Sequence, residues 1–352
     1  MNKKVSLDSI ACVLPKKTYE NKDTIFRDVE KLPFHWEAFW GVKKRGFFDI
    51  KSDENETTAA ISSCKKALDA AGVSAKEMDL VICSASFPVL FGETKNLSSF
   101  RGLPRLSSAI KESLDIPRGF DTQADCLSFL TNLEIAKNFI KSGLANKILV
   151  CSSECFSMAL DMKAPVSTLF GDGAAAAVIS TTESNGDFLA SNYLSDASFY
   201  KLAVGKFKQK VETDHFISNA KVWPYFVLSD SGIDDMKTFI PFIVPKIVKG
   251  ALSKIDKKPK DMDYFIFHQP AKTIVKAWAA GLGISKRKYC LTMGQHGVLV
   301  SVSIPLTLCY ALHNKKLDPY GKIVLAGAAT GWNFGAQVWQ LNGTKVMYDD
   351  KD

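Results

Sequence analysis

The stretch Cys126–Val150, CLSFLTNLEIAKNFIKSGLANKILV, repeats its pattern at Ser301–Leu325, SVSIPLTLCYALHNKKLDPYGKIVL, 175 residues on and without a gap. Each copy reads as an apolar-periodic helix, a turn carrying Gly or Pro, and a strand opening on Lys147-Ile-Leu-Val or Lys322-Ile-Val-Leu. The strand runs are continuously apolar rather than alternating, as expected of parallel strands covered on both faces. A second pair lies upstream. Ala67–Ser86 (ALDAAGVSAKEMDLVICSAS) and Ala251–Pro270 (ALSKIDKKPKDMDYFIFHQP) each give a helix end, a loop, Met-Asp and a strand, here 184 residues apart. The first copy therefore holds about nine extra residues between its two blocks, and Gly92–Arg105 is the segment that accommodates them.

The expected fold is α/β: two duplicated halves, 1–180 and 181–352, with parallel sheets and helices on both faces. Two such sheets sharing central helices make a five-layer αβαβα sandwich. With 352 residues, 46% hydrophobic and 11% aromatic, the chain has ample core and is not disordered. A net charge of +8 suits phosphates, carboxylates or an acidic carrier protein. The basic residues are scattered, with no run beyond Lys43-Lys44-Arg45, which argues against nucleic acid. The eight cysteines include no Cys-x-x-Cys pair, so a zinc or redox motif is not expected and no metal is assigned. The opening Met1-Asn2-Lys3-Lys4 leads into a stretch too short and polar for an export signal, and no apolar run reaches the ~18 residues that span a bilayer. The expectation is a cytoplasmic protein without a membrane span.

Cys126 lies in Gln123-Ala-Asp-Cys-Leu-Ser-Phe129, immediately before the periodic helix. A thiol there feels the positive end of the helix dipole, which lowers its pKa and suits attack on a thioester. His268 ends the strand Tyr264–Pro270, at the carboxyl edge where ligands bind in open α/β sheets, with Pro270 fitting a first helical turn. His296, in a Gly-flanked loop, is the second candidate. Phe170-Gly-Asp-Gly-Ala-Ala-Ala-Ala-Val178 is a tight turn into a small-residue strand. Gly327-Ala-Ala-Thr-Gly-Trp-Asn-Phe-Gly335 has the composition of a loop offering an N–H group to an oxyanion, and neither is a nucleotide loop. The aromatic stretch Phe34–Trp40 fits core, a pocket wall or an interface.

Together these residues resemble the thiolase-fold condensing enzymes of the ketoacyl-acyl-carrier-protein synthase III group. The matching pieces are the Cys126 motif, Leu169-Phe-Gly-Asp-Gly-Ala, His268-Gln-Pro, Ser303-Ile-Pro305 and the Gly-rich loop before Trp332, in the family's order. The resemblance implies that Cys126 accepts the acyl group, that His268 is the second catalytic residue, and that the N–H groups of Cys126 and Gly331 form the oxyanion hole. No cofactor is implied; acyl-coenzyme A or an acyl carrier protein is the donor substrate.

One position departs from that family. Its Gly-Asn-Thr-Ser loop carries an Asn seven residues before the Ser-Ile-Pro proline, and here that place is Val298. His and Asn together assist malonyl decarboxylation in the family; Val298 donates nothing, and loss of one such donor costs ~10²–10³ in rate. A narrower resemblance fits the departure. Phe39-Trp-Gly-Val-Lys-Lys-Arg-Gly-Phe-Phe-Asp49, Leu291–Gly294, Ser301–Pro305 and Ala326–Trp332 are similar to the PqsC group, the condensing subunits of alkylquinolone synthases. That group also lacks the Asn. The resemblance implies octanoyl-like acylation of Cys126, condensation with the β-keto acid 2-aminobenzoylacetate with loss of carbon dioxide, and a heterodimer with a related, PqsB-like subunit lacking the cysteine. The alternatives are a synthase III-like acyltransferase of another pathway, and a non-catalytic support subunit.

Overall fold

The computed structural model describes residues 3–50, 52, 54–86, 105–197, 203–209, 222–229, 233–234 and 237–348. The proposed site of the extra residues, Gly92–Arg105, lies outside these except for Arg105.

In chain order the elements are β1 (Lys4–Val13), β2 (Lys17–Glu20), α1 (Trp36–Trp40), β3 (Lys44–Phe47), α2 (Glu56–Ala71), β4 (Leu80–Ser84), α3 (Leu106–Leu114), β5 (Gly119–Thr122), α4 (Ser128–Lys141), β6 (Lys147–Glu154), β7 (Gly173–Thr182) and β8 (Asp187–Ser195). There follow β9 (Ala203–Gln209), β10 (Val222–Leu228), α5 (Ile240–Ser253), β11 (Tyr264–Phe267), α6 (Lys272–Leu282), α7 (Met293–His296), α8 (Ser303–His313), β12 (Lys322–Ala329), β13 (Asn333–Gln340) and β14 (Lys345–Tyr348). One sheet runs β14-β1-β7-β6-β4-β5 and a second β11-β12-β13-β8.

The burial of side chains stacks these elements in five layers. Leu80, Ile82, Ile148 and Val150 of the first sheet and Ile266, Ile323, Leu325 and Trp339 of the second close on α4 (Phe129, Leu133, Ile140) and α8 (Ile304, Leu308, Leu312). The opposite face of the first sheet (Val81, Cys83, Leu149, Cys151) meets α2 and α3 through Cys64, Leu68 and Ile110. The opposite face of the second (Phe265, Phe267, Val324, Val338) meets α5 and α6 through Val244, Val248, Val275 and Trp278. This is the thiolase-type αβαβα sandwich. Continuous apolar strands follow from it, because every central strand is covered on both sides.

The sheets are mixed, not purely parallel. β4–β5, β4–β6, β1–β14 and β11–β12 pair parallel, whereas β6–β7, β1–β7, β12–β13 and β13–β8 pair antiparallel. Continuous hydrophobicity reports two covered faces and is silent on strand direction. The chain also does not divide cleanly at residue 180, since β14, from the end of the chain, sits beside β1 in the first sheet.

The repeated stretches fold alike down to their anchors. Asp79 accepts hydrogen bonds from the N–H groups of Asn146 (2.7 Å) and Lys147 (3.1 Å), and Asp263 accepts from the N–H of Lys322 (2.7 Å). Those are the Asp residues of the two Met-Asp pairs, each locking the start of a strand that pairs with its own, β6 beside β4 and β12 beside β11. One-turn 3-10 helices, Asp125–Leu127 and Val300–Val302, precede α4 and α8, and each begins on a left-handed residue, Asp125 (φ 47°) and Val300 (φ 44°).

Candidate active site

The turn that opens α4 presents Cys126 to a cavity of about 370 Å³. Of the eight cysteines only Cys126 and Cys290 are not fully buried, and Cys126 is the one that lines this cavity. His268 and Val298 line it too, so three positions from three distant parts of the chain converge. His268 follows β11 directly, its N–H donating to the carbonyl of Ala326 on β12 (2.9 Å). Gly327 allows this: a Cβ there would stand 2.6 Å from the His268 Cβ. Val298 is fixed by a backbone pair with the Leu169–Gly171 turn, its N–H donating to the Leu169 carbonyl (2.8 Å) and its carbonyl accepting from the Gly171 N–H (3.2 Å).

The cavity walls are largely apolar. Phe156, Phe170 and Phe226 form a ring cluster with centroids 4.6, 5.4 and 5.2 Å apart, and Cys126 packs against it. Trp40, Leu228, Ile240 and Trp332 complete the wall. His268 Nδ1 and Trp332 Nε1 are buried there without a hydrogen-bond partner. Buried polar atoms of this kind are expensive unless a ligand group meets them. Among the described residues, no three His, Cys, Asp or Glu side chains gather as metal ligands.

The electrostatics differ from the expectation for a helix-start thiol. Burial pushes the Cys126 thiol well above its usual range, and the charges of Asp125 and Glu154 push it the same way. The N–H groups of Cys126 itself and of Thr330 oppose this, with smaller effect. The dipole of one helix is outweighed by desolvation. Burial also drives His268 down to about 3, so its imidazole is neutral and able to accept a proton. The resting pair is thiol and imidazole rather than thiolate and imidazolium.

His296 is not part of this cavity. It faces a separate one of about 420 Å³ with Gln295, Lys16, Lys44 and Asp172, and its Nε2 lies 3.3 Å from the Tyr348 hydroxyl. Gly297 turns the chain (φ 75°) between His296 and Val298, and the two residues line different cavities. Pro270 precedes α6 rather than opening it, since the helix starts at Lys272. Gly331 (φ 73°) does not line the cavity; Thr330, just before it, does. In the Phe34–Trp40 stretch, Trp36 and Trp40 are buried, Trp40 in the cavity wall, while Phe34 is 89% exposed.

Profiles described as 3-oxoacyl-[acyl-carrier-protein (ACP)] synthase III and its C-terminal domain match residues 120–197 and 252–341. The chain is 42% identical over 348 residues to the 2-heptyl-4(1H)-quinolone synthase subunit PqsC of Pseudomonas aeruginosa, covering 97% of this chain and 99% of that one. The chain belongs to the 3-oxoacyl-[acyl-carrier-protein] synthase III family. It is also 30% identical to the Ehrlichia canis β-ketoacyl-[acyl-carrier-protein] synthase III over 93% of its length and 96% of that protein. The crystal structure of the synthase III of Aquifex aeolicus VF5 superposes with a TM-score of 0.81 at 26% identity, covering 96% and 99% of the two chains. As a member of the synthase III family this chain is an enzyme of the acyl-transferring, condensing class. Among the described residues no helix is long and apolar enough to cross a membrane.

Sequence reasoning passed over Phe156, Phe226, Ser86 and Glu154, and read Phe170 only as part of a tight turn. The phenylalanines look like ordinary core aromatics. Glu154 had a usable signal: a carboxylate closing the apolar run Lys147-Ile-Leu-Val-Cys-Ser-Ser-Glu154 is costly unless it has a task.

Proposed function

We propose that this chain is the condensing subunit of a 2-alkyl-4(1H)-quinolone synthase. A medium-chain acyl group, octanoyl or similar, is carried by Cys126 as a thioester and joined to 2-aminobenzoylacetate with loss of carbon dioxide. The observation that carries the reading is the meeting of Cys126 and His268 in one apolar cavity where Val298 replaces the second polar donor. The likeness to PqsC supports the choice of product class.

The chemistry follows from that geometry. Acyl transfer from a coenzyme A or carrier thioester needs the Cys126 proton removed as sulfur attacks, and neutral His268 is the base within the cavity. The N–H groups of Cys126 and Thr330, which reach the thiol, stabilise the oxyanion. The proton then leaves with the donor thiol. A β-keto acid loses carbon dioxide readily, so one imidazole suffices where a malonyl thioester asks for two donors. No cofactor takes part. The named relative is a subunit, and β5 forms an outer edge of the first sheet that has no pairing strand among the described residues, so a related second subunit is the proposed partner.

The test is incubation of the chain, with its co-purified partner, with octanoyl-coenzyme A and 2-aminobenzoylacetate. The 2-heptyl-4(1H)-quinolone is expected by mass spectrometry. Octanoyl loading without any quinolone would refute the acceptor. His268→Ala should lower product formation by about 10²-fold or more, and His296→Ala by no more than about threefold; the reverse ranking would move the role to His296.

A further inference from the structure

The counterpart of Cys126 in the repeated stretch is Ser301. Both follow a left-handed residue on a one-turn helix, and the packing is reciprocal: the Cys126 turn lies on β12 and the Ser301 turn on β6. β6 ends at Glu154, which is fully buried. Glu154 accepts hydrogen bonds from the Ser301 hydroxyl, the Ser301 N–H (3.3 Å), the Ser86 N–H (3.1 Å) and the Ser86 hydroxyl (2.9 Å). Ser86 in turn lines the Cys126 cavity. A hydroxyl bonded to a buried carboxyl, on a residue that lines the reacting thiol's cavity, is placed to bridge a proton.

The surroundings keep that carboxyl near its titration point. Burial raises it to about 7, against the lowering effect of the Ser301 and Ser86 hydrogen bonds. Glu56, from α2, and Cys126, from the turn before α4, both feel its charge and are raised by it; Asp172 and Asp121 act on the same Glu56. A proton on Glu154 therefore relieves both the buried Glu56 and the Cys126 sulfur.

We propose that Glu154, acting through the Ser86 hydroxyl, returns a proton to the Cys126 sulfur at the end of each decarboxylative condensation. This rests on the function proposed above. Loss of carbon dioxide leaves the electron pair of the broken C–C bond on the α-carbon. That carbon attacks the acyl carbonyl, the C–S bond breaks, and its electron pair stays on sulfur. With Glu154 protonated, its hydrogen bond with Ser86 runs from carboxyl to hydroxyl, and the Cys126 thiolate takes the Ser86 proton as Ser86 takes the Glu154 proton. Glu154 is left as a carboxylate held by its hydrogen bonds and regains a proton from water before the next turnover. Acyl thioester, β-keto carboxylate and one proton thus give diketone, carbon dioxide and thiol. The acyl-loading half consumes no proton, so the two halves of the reaction depend on Glu154 differently.

Glu154→Gln keeps the shape of the side chain and removes the transferable proton. The first readout is the rate of Cys126 alkylation by iodoacetamide against pH, which needs no acyl donor or acceptor. Free thiolate is scarce in the wild type because burial and the carboxylates hold the thiol up, so the rate gains a step at about pH 7 only if ionised Glu154 removes the thiol proton through Ser86 during the attack on iodoacetamide; in Glu154→Gln that step is expected to vanish. The second readout compares octanoyl loading with condensation: loading stays within about threefold of wild type and condensation falls about 10²-fold. Ser86→Ala, which leaves Ser301 on Glu154, should reproduce both effects and decides the matter if Glu154→Gln does not fold. An unchanged alkylation profile, or equal losses in loading and condensation, would overturn the proposal. Should the wild type load but not condense, the functional reading fails while the alkylation profile still decides the relay.

Discussion

Val298 shows how much one side chain decides. It is buried in the wall beside Cys126 and His268, with its backbone tied to Leu169 and Gly171, so an Asn at this place would keep the fold and gain a donor. Val298→Asn is expected to raise malonyl-thioester decarboxylation, measured as carbon dioxide release, by about 10²-fold; no change would show that the missing donor is not what limits that reaction. Gly327 is equally sensitive. Gly327→Ala puts a methyl 2.6 Å from the His268 Cβ, and condensation is expected to fall at least about tenfold while the fold, followed by circular dichroism, persists. At this scale Cys126, His268 and Val298 were legible in the sequence, because motif and strand-end position mark them. The state of the thiol was not legible. It depends first on desolvation, then on the neighbouring Asp125 and on Glu154, and the burial and the approach of Glu154, 28 residues away in sequence, exist only after folding.

Among the elements, the repeated helix-turn-strand units carried the sequence reading furthest. Their periodicity, turns and Met-Asp pairs are local, and local patterns survive without tertiary information. Strand direction did not survive, since β7 and β13 are apolar in the same manner whether they run parallel or antiparallel to β6 and β12. The Asp anchors give an element-scale test. Asp79→Ala strips acceptors from the Asn146 and Lys147 N–H groups, and Asp263→Ala from that of Lys322. Each is expected to lower stability in urea unfolding by about 1–3 kcal/mol. A loss in only one of the pair would mean that the two units are not built on the same device.

Across the whole molecule, the active cavity exists because two sheets share α4 and α8, bringing the starts of both central helices together. The same arrangement buries carboxyls that ordinarily face water. Glu154 and Asp172 are each raised to about 7, so folding favours their protonated forms. Their contribution to stability is full below the ordinary carboxylate range and is lost as pH rises to about 7. Relative to Glu154→Gln, the wild type should therefore lose stability between about pH 4.5 and about pH 7, by on the order of 3 kcal/mol. His268, buried neutral, acts with the opposite sign, destabilising the fold as pH falls below about 6.5. Urea midpoints of the wild type and Glu154→Gln across this range check the sign, and parallel curves would contradict it.

The central claim is that Cys126 is the one residue that carries the acyl group. Intact-mass spectrometry after incubation with octanoyl-coenzyme A tests it most directly. One octanoyl group on the wild type and none on Cys126→Ala is the predicted result; an octanoyl group retained by Cys126→Ala would contradict it.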